Sequence, residues 1–278
     1  TASVRLGVRK IRLTGGEPLV RSNIEQLVEM IQSVEGIEDI AMTTNAYLLD
    51  GMAEKLKRAG LHRVTISLDS LDDEVFQQMN GRGFNTAKVL KGISAAKEAG
   101  FEVIKINAVV QKGVNEHTLL KLVEWCRRND IVPRFIEYMD VGTLNGWKLD
   151  EVFSAAEIVG LINSQYPVEA IDPNYPGEVA KRYRFKDGNG EFGVISSVSQ
   201  PFCGDCTRAR LSPEGQFVTC LFAESGKDLR ELLRHGVSDR ELSEEMANVW
   251  AVRDDKYSED RSSMTVPRKK VEMYHIGG

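Results

Sequence analysis

The chain has 278 residues, 42% of them apolar and 28% charged, which is enough to bury a sizeable core as one large α/β domain or two smaller ones. A formal charge of -5 gives no bulk electrostatic case for nucleic acid or an anionic membrane as partner, so any anion site must be local. No apolar run approaches the roughly 20 residues that span a bilayer, and TASVRLGVRK lacks a hydrophobic secretion region, so the expected location is cytoplasmic.

The first half alternates short β-branched runs with helix-length segments. The runs 8–14 (VRKIRLT), 38–44 (EDIAMTT), 62–68 (HRVTISL), 101–110 (FEVIKINAVV) and 132–138 (VPRFIEY) are predicted strands. A βαβ series of this kind makes a parallel sheet. In the helix after the first run, Ser22 and Glu25 form an S-x-x-E capping box. Ile24, Leu27, Val28 and Ile31 make its apolar stripe, and Gly36 closes it, as Gly60 and Gly100 close later ones. The carboxyl ends of the five runs carry polar or Gly-rich words: TGGEP, TTNA, SLDS, NAVVQKG and EYMDVG. That favours a barrel-type sheet with ligands at this edge, and a doubly wound open sheet is the alternative.

After residue 141 the pattern changes, which places an expected boundary between a sheet part, 1–140, and a C-terminal part, 141–278. VGTLNGWKLDEVF reads as a connection, SAAEIVGLINSQY as a helix and IDPNYPGEVAK as a turn-rich loop. KRYRFKD and GEFGVISS predict a hairpin around DGNGE; KDLRELLRHG and SDRELSEEMANVWAVR predict two further helices. DDKYSEDRSSM reads as polar and mobile.

Three of the four cysteines, Cys203, Cys206 and Cys220, follow a C-x2-C-x13-C spacing. Without an export signal this favours metal or cluster ligation over disulfides, with reduced structural thiols as the bland alternative. Three thiolates suit a zinc ion with one outside ligand, or three corners of a [4Fe-4S] cluster with one iron open. No fourth ligand stands at short spacing, which favours the cluster, and the small Gly204 suits the turn. Cys126, inside LVEWCRRND, reads as a buried apolar thiol.

Arg208 and Arg210 alternate directly behind the cysteine pair. In an extended segment they share a face and can clamp an anion, or they are surface residues of a solvated edge. TGGEP (14–18) puts glycines where the backbone must approach something closely, with Glu17 available to an amino group, or it is a tight βα turn before Pro18. Thr43, Thr44, Asn45, Ser67 and Asp69 end the next two strands and suit helix capping equally well. Lys105 alternates with apolar neighbours in EVIKINAVV. An inward ammonium needs an anion, so the lysine serves a Schiff base or a phosphate. His62, His117, His235 and His275 form no metal spacing.

IRLTGGEPLVR, MTTNAYLL, RVTISLDSLD, IKINAVVQKGVNE, RFIEYMDVG, FCGDCTRARLSPEGQFVTCLF and a terminal Gly-Gly occur in order. Together they strongly resemble the GTP 3',8-cyclase family of molybdenum cofactor biosynthesis, which are radical SAM enzymes and lyases. The resemblance covers nearly the whole chain. It implies an incomplete (βα)6 TIM-type barrel, of which strands two to six are present here, closed by a smaller C-terminal α+β domain. It implies that Gly15, Gly16, Glu17, Ser67 and Met139 contact S-adenosylmethionine. Arg12, Thr43, Lys105, Arg208, Ala209 and Arg210 would lie along GTP, whose purine reaches the open iron of a [4Fe-4S] cluster on Cys203, Cys206 and Cys220. Gly277 and Gly278 resemble the family's tail, which reaches into the active site.

The reaction so implied starts with reductive cleavage of S-adenosylmethionine at a first [4Fe-4S] cluster. The resulting radical takes the ribose 3' hydrogen of GTP, and the sugar radical attacks C8 of guanine to give 3',8-cyclo-7,8-dihydro-GTP. An electron donor and the downstream cyclic pyranopterin monophosphate synthase are implied partners, and a homodimer is allowed. The family's first cluster uses a C-x3-C-x2-C motif ahead of TGGEP. This sequence contains no such motif, so it reads as an N-terminally truncated member expected to be inactive as given. The family also carries Gly where Ala46 stands; if residue 46 is left-handed, alanine is strained there by about 1 kcal/mol.

Overall fold

The structure is a computed structural model, and it describes residues 1–143, 145–261, 271, 272, 275 and 277. In chain order these form α1 (Ala2–Arg5), β1 (Lys10–Leu13), α2 (Ile24–Gln32), β2 (Asp39–Thr44), α3 (Ala53–Arg58), β3 (Arg63–Ser67), α4 (Asp73–Asn80), α5 (Thr86–Glu98), β4 (Ile104–Val110), α6 (Leu119–Arg128) and β5 (Val132–Glu137). There follow α7 (Ala155–Gln165), β6 (Val168–Ile171), β7 (Lys181–Phe185), β8 (Glu191–Ile195), β9 (Arg210–Leu211), β10 (Gln216–Val218), β11 (Lys227–Asp228), α8 (Leu229–Arg234), α9 (Asp239–Ala251) and α10 (Tyr257–Asp260).

The five expected parallel strands form, with boundaries trimmed at their ends, and they do not stand alone. The sheet has eight strands in the order β1-β2-β3-β4-β5-β8-β7-β6. β8 joins β5 in parallel register, Phe135 opposite Val194, and the predicted hairpin supplies β7 antiparallel to it. The sheet thus runs past residue 140 without a break. This is a mixed α/β sheet whose six parallel strands are extended by an antiparallel C-terminal pair.

Side-chain alternation sets the two faces. In β4, Ile104, Ile106, Ala108 and Val110 are buried while Lys105, Asn107 and Val109 are half-buried. The buried set joins Val89, Ile93, Leu122, Val123 and Ile158 of the helices in the main core. Each such fully buried Ile, Leu or Phe contributes about 1.5–3 kcal/mol relative to exposure. The other face is left for polar side chains. A second, smaller core gathers Phe217, Leu229, Leu242 and Met246 with Ala2, and Ser243 Oγ donates to Ala2 O at 3.0 Å, so α1 is held by α9.

Two local expectations fail. The Ser22–Glu25 capping box does not form: α2 begins at Ile24 behind a left-handed Asn23 (φ 56), with no side-chain cap. Ser22 then stands one residue too early to reach the first helical amides. The polar stretch from 254 is also more ordered than its composition suggests. Tyr257–Asp260 is a helical turn, Tyr257 stacks on Phe222 with centroids 4.3 Å apart, and Arg261 Nε donates to buried Asp140 at 2.9 Å. Charged residues pair there instead of being solvated. Residues 262–264 of that stretch lie outside the described residues.

At the end of β5, Glu137 is fully buried. Its Oε1 accepts from Ala155 N (2.7 Å) and from the Ser199 hydroxyl, and its Oε2 from Val198 N (2.7 Å) and Ser199 N (2.8 Å). One carboxylate therefore ties the sheet to the start of α7 and to the segment leading into the cysteine pair. Replacement by alanine strands buried donors, so Glu137→Ala is expected to lower stability by about 3 kcal/mol in chemical denaturation.

Candidate functional site

Inner-face positions of neighbouring strands put cations side by side. Arg12 Nη1 donates to the Thr43 hydroxyl at 2.9 Å and to the Thr65 hydroxyl at 3.3 Å, while Arg134 Nη2 donates to the same Thr65 oxygen at 3.2 Å. Thr65 is also the register partner of Thr43 and Lys105, and Asn107 that of Arg134. Arg63 is neutralised by Asp39, through Nε at 2.8 Å and a second bond from Nη2.

The remaining charges repel one another. Burial, then Arg134 and Arg63, pull the Lys105 ammonium down to about 8. Burial, then Arg12 and Arg63, pull Arg134 down to about 10, and burial with Arg63 lowers Arg12. Among the described residues, Asn107 Oδ1 and Arg134 Nε are buried without a hydrogen-bond partner. Of these two atoms Arg134 Nε is a donor, which an anion can satisfy, whereas Asn107 Oδ1 is an acceptor and calls for a donor.

The edge beyond the strands' carboxyl ends holds the second group. Gly15 is left-handed (φ 129). Glu17 accepts from Leu19 N (3.0 Å) and the Thr44 hydroxyl (2.6 Å) with Oε1, and from Asn45 N (2.7 Å) with Oε2. It therefore braces two βα loops and keeps one lone pair on Oε2 for an amino group. Ser67 ends β3 opposite Asn107, and Met139 follows β5 on the same edge. Ala46 is left-handed (φ 60) and fully buried against α5, where a Cβ on Gly92 would stand 2.5 Å from Ala46 O. Alanine thus bears the strain expected there, about 1–2 kcal/mol.

The third group is the cysteine segment. Cys206 N donates to Cys203 O at 3.2 Å, closing the turn, and all three thiols are free and half-buried. Arg208 reaches Cys206 Sγ through Nε (3.4 Å) and Nη2 (3.2 Å). Burial opposes ionisation of Cys206, but Arg208 and Arg253 outweigh it and lower the thiol's pKa; burial raises that of Cys220. Arg208 and Arg210 are half-buried, while Thr207, Ala209 and Leu211 are exposed, so the two arginines share a face as the alternation predicts. Burial, then Arg208, brings Arg210 down to about 10.

The described part of the tail reaches this site. Arg210 Nε donates to Gly277 O at 3.4 Å. Gly277 is left-handed (φ 70), and a Cβ there would run into Thr14 Cγ2 and stand 3.0 Å from Gly15 N. Only glycine fits against the TGGEP turn. Gly278 lies outside the described residues. Cys126 is buried in α6, with its thiol pKa raised by burial, and His62 Nδ1 accepts from Ile40 N at 2.9 Å, a capping role.

Residues 1–126 match the family described as Radical SAM superfamily, and 131–259 that described as Molybdenum Cofactor Synthesis C. Over 277 residues the chain is 50% identical to the GTP 3',8-cyclase of Xanthomonas axonopodis pv. citri (strain 306), covering 100% of this chain and 82% of that protein. The chain belongs to the GTP 3',8-cyclase family. It is likewise 47% identical to the GTP 3',8-cyclase of Staphylococcus carnosus (strain TM300), over 98% of this chain and 81% of that one. The solved structure titled native anSMEcpe with bound AdoMet and Cp18Cys peptide shares the fold at 14% identity, with a TM-score of 0.53 over 95% of this chain and 80% of that chain.

Membership of the radical SAM superfamily brings a [4Fe-4S] cluster and S-adenosylmethionine. Among the described residues no three His, Cys, Asp or Glu side chains are gathered to hold a single metal ion. Sequence reasoning missed Arg134 and Asn107. Arg134 carries the same signal as Lys105, a cation between buried Pro133 and Phe135 on a strand.

An anion needs Lys105 protonated, and binding raises its pKa again. Affinity for inorganic tripolyphosphate is therefore expected to fall as pH rises from about 7 to about 9, with proton uptake near pH 8 in calorimetry across buffers. Lys105→Met removes both effects. For folding the sign reverses: the unfolded chain binds more protons between about 8 and 10.5, so this group alone makes the fold more stable as pH rises through that window.

Proposed function

We propose that this chain supplies the nucleotide-gripping part of the GTP 3',8-cyclase step of molybdenum cofactor biosynthesis, holding the triphosphate on the inner face of its sheet. The observation that carries this is the meeting of Arg12 and Arg134 on the Thr65 hydroxyl beside Lys105, three cations without an ion-paired carboxylate among the described residues. Arg12, Thr43 and Lys105 take the phosphates, and Arg134 joins them. Arg208, Ala209 and Arg210 lie along the nucleoside toward the cysteine segment.

Cys203, Cys206 and Cys220 would hold a [4Fe-4S] cluster, with one iron left for the purine. Gly15, Gly16, Glu17, Ser67 and Met139 would hold S-adenosylmethionine at the sheet edge, Glu17 meeting its amino group. When bound, S-adenosylmethionine and a reducing cluster supply the hydrogen-abstracting carbon radical. The protein's part is to fix the ribose and guanine so that the 3' carbon and C8 meet, and to keep water away. Gly277 closes the site by seating the tail on Thr14 and Arg210, and Gly278, outside the described residues, is proposed to act with it. The working enzyme is cytoplasmic, draws on an electron donor and hands its product to a cyclic pyranopterin monophosphate synthase.

The four cysteines of this sequence include no C-x3-C-x2-C triplet. Residues 1–278 by themselves are therefore expected to bind GTP and one cluster without cleaving S-adenosylmethionine. Anaerobic reconstitution followed by iron analysis should give about four irons per chain, with a paramagnetic resonance spectrum that GTP perturbs and that Cys203→Ser or Cys206→Ser abolishes. One zinc per chain, or a spectrum indifferent to GTP, would leave a metal-stapled binding module instead.

A further inference from the structure

The segment 172–180, between β6 and β7, crosses from one end of the open sheet to the other. It leaves β6, the last strand in the sheet order, and sets the Tyr175 ring 3.7 Å from Lys10 Nζ on β1, the first. Its far end packs beside Arg134: a Cβ on Gly193 would stand 3.0 Å from Ala180 Cβ and 3.1 Å from Arg134 Cγ. Its middle touches the cysteine turn. Gly177 is left-handed (φ 78), and a Cβ there would stand 3.1 Å from Asp205 O and 3.3 Å from Thr207 Oγ1.

This strap brings in a negative charge. Glu178 spends hydrogen bonds on the strap itself, Oε2 accepting from Asn174 N at 2.6 Å and both oxygens from Asn174 Nδ2 at 3.2 Å. Among the described residues no ion pair joins it to the cations. Its charge still reaches Arg63, Lys105 and Arg134, favouring their protonated forms. A carboxylate that offsets a cationic face without bonding to it is readily replaced by a better anion.

We propose that Glu178 is a resident counter-charge on the strap, and that the terminal phosphate of a nucleoside triphosphate displaces it from the cationic face. This rests on the reading of that face as the triphosphate site and adds a residue that sets its affinity. The strap then also links phosphate occupancy to the cysteine turn, through Gly177.

Calorimetric titration of the whole chain with GTP, GDP and GMP, on wild type and Glu178→Gln, tests it. The expected result is GTP binding tightened about fivefold at low ionic strength, a smaller gain for GDP and none for GMP, with the gain shrinking as salt is raised. Equal changes for all three nucleotides, or no change for GTP, would overturn the role of Glu178. Failure of the underlying reading looks different: GTP would then bind Lys105→Met as well as wild type, or would not bind at all. Because Asp172–Pro176 is exposed and Glu178 lies outside the core, the Gln variant is expected to fold, and its unchanged melting temperature serves as the control.

Discussion

Uncompensated positive charge on the inner face of the sheet is the constraint around which the site is arranged. Parallel register puts Lys105 and Arg134 on adjacent strands, Arg12 reaches across from β1 to the Thr65 hydroxyl that Arg134 also meets, and of these cations and Arg63 only Arg63 is ion-paired among the described residues, with Asp39. Such a face costs stability, which explains why Lys105 and Arg134 are pulled toward neutrality and why Thr65 is shared between two guanidinium groups. Proteins keep arrangements of this kind where a ligand completes them. A triphosphate brings enough negative charge to do so, and a single carboxylate on the strap brings only part of it.

The chemistry also demands that distant segments of chain meet over that face. Glu137 carries the sheet's end into the segment before Cys203, through three backbone amides and a hydroxyl. Gly277 lies against Thr14 and accepts a bond from Arg210, so the TGGEP turn, the arginine pair and the tail are one assembly. Radical chemistry needs that convergence, because a carbon radical open to solvent or to other side chains is lost before the ring closes.

Much of this was legible beforehand where the signal is local and repetitive. The strands around Lys105, the hairpin and the left-handed turns at Gly36, Gly60 and Gly100 follow from alternation and from glycine's freedom of φ. The shared face of Arg208 and Arg210 follows in the same way. The signals that misled were also local. S-x-x-E at Ser22 matches a capping box, yet Asn23 takes the left-handed turn and starts the helix itself. The polar composition after 253 hid an anchored turn, because the Asp140 that fixes Arg261 lies 121 residues away in the chain.

By itself, the sequence determined the parallel strands, the family, the cysteine segment and the identity of most cations, since each depends on residues within a few positions of one another. The tertiary structure alone decided that β8 extends the parallel sheet, that Arg134 shares Thr65 with Arg12, and that Glu137 holds the cysteine segment. It also decided that segment 172–180 returns to Lys10 and that Gly277 sits on the TGGEP turn. These are contacts between residues far apart in the chain, and periodicity carries no information about which strand end or loop will meet which. Burial and electrostatic field, which set the charge state of Lys105, exist only once those segments have come together.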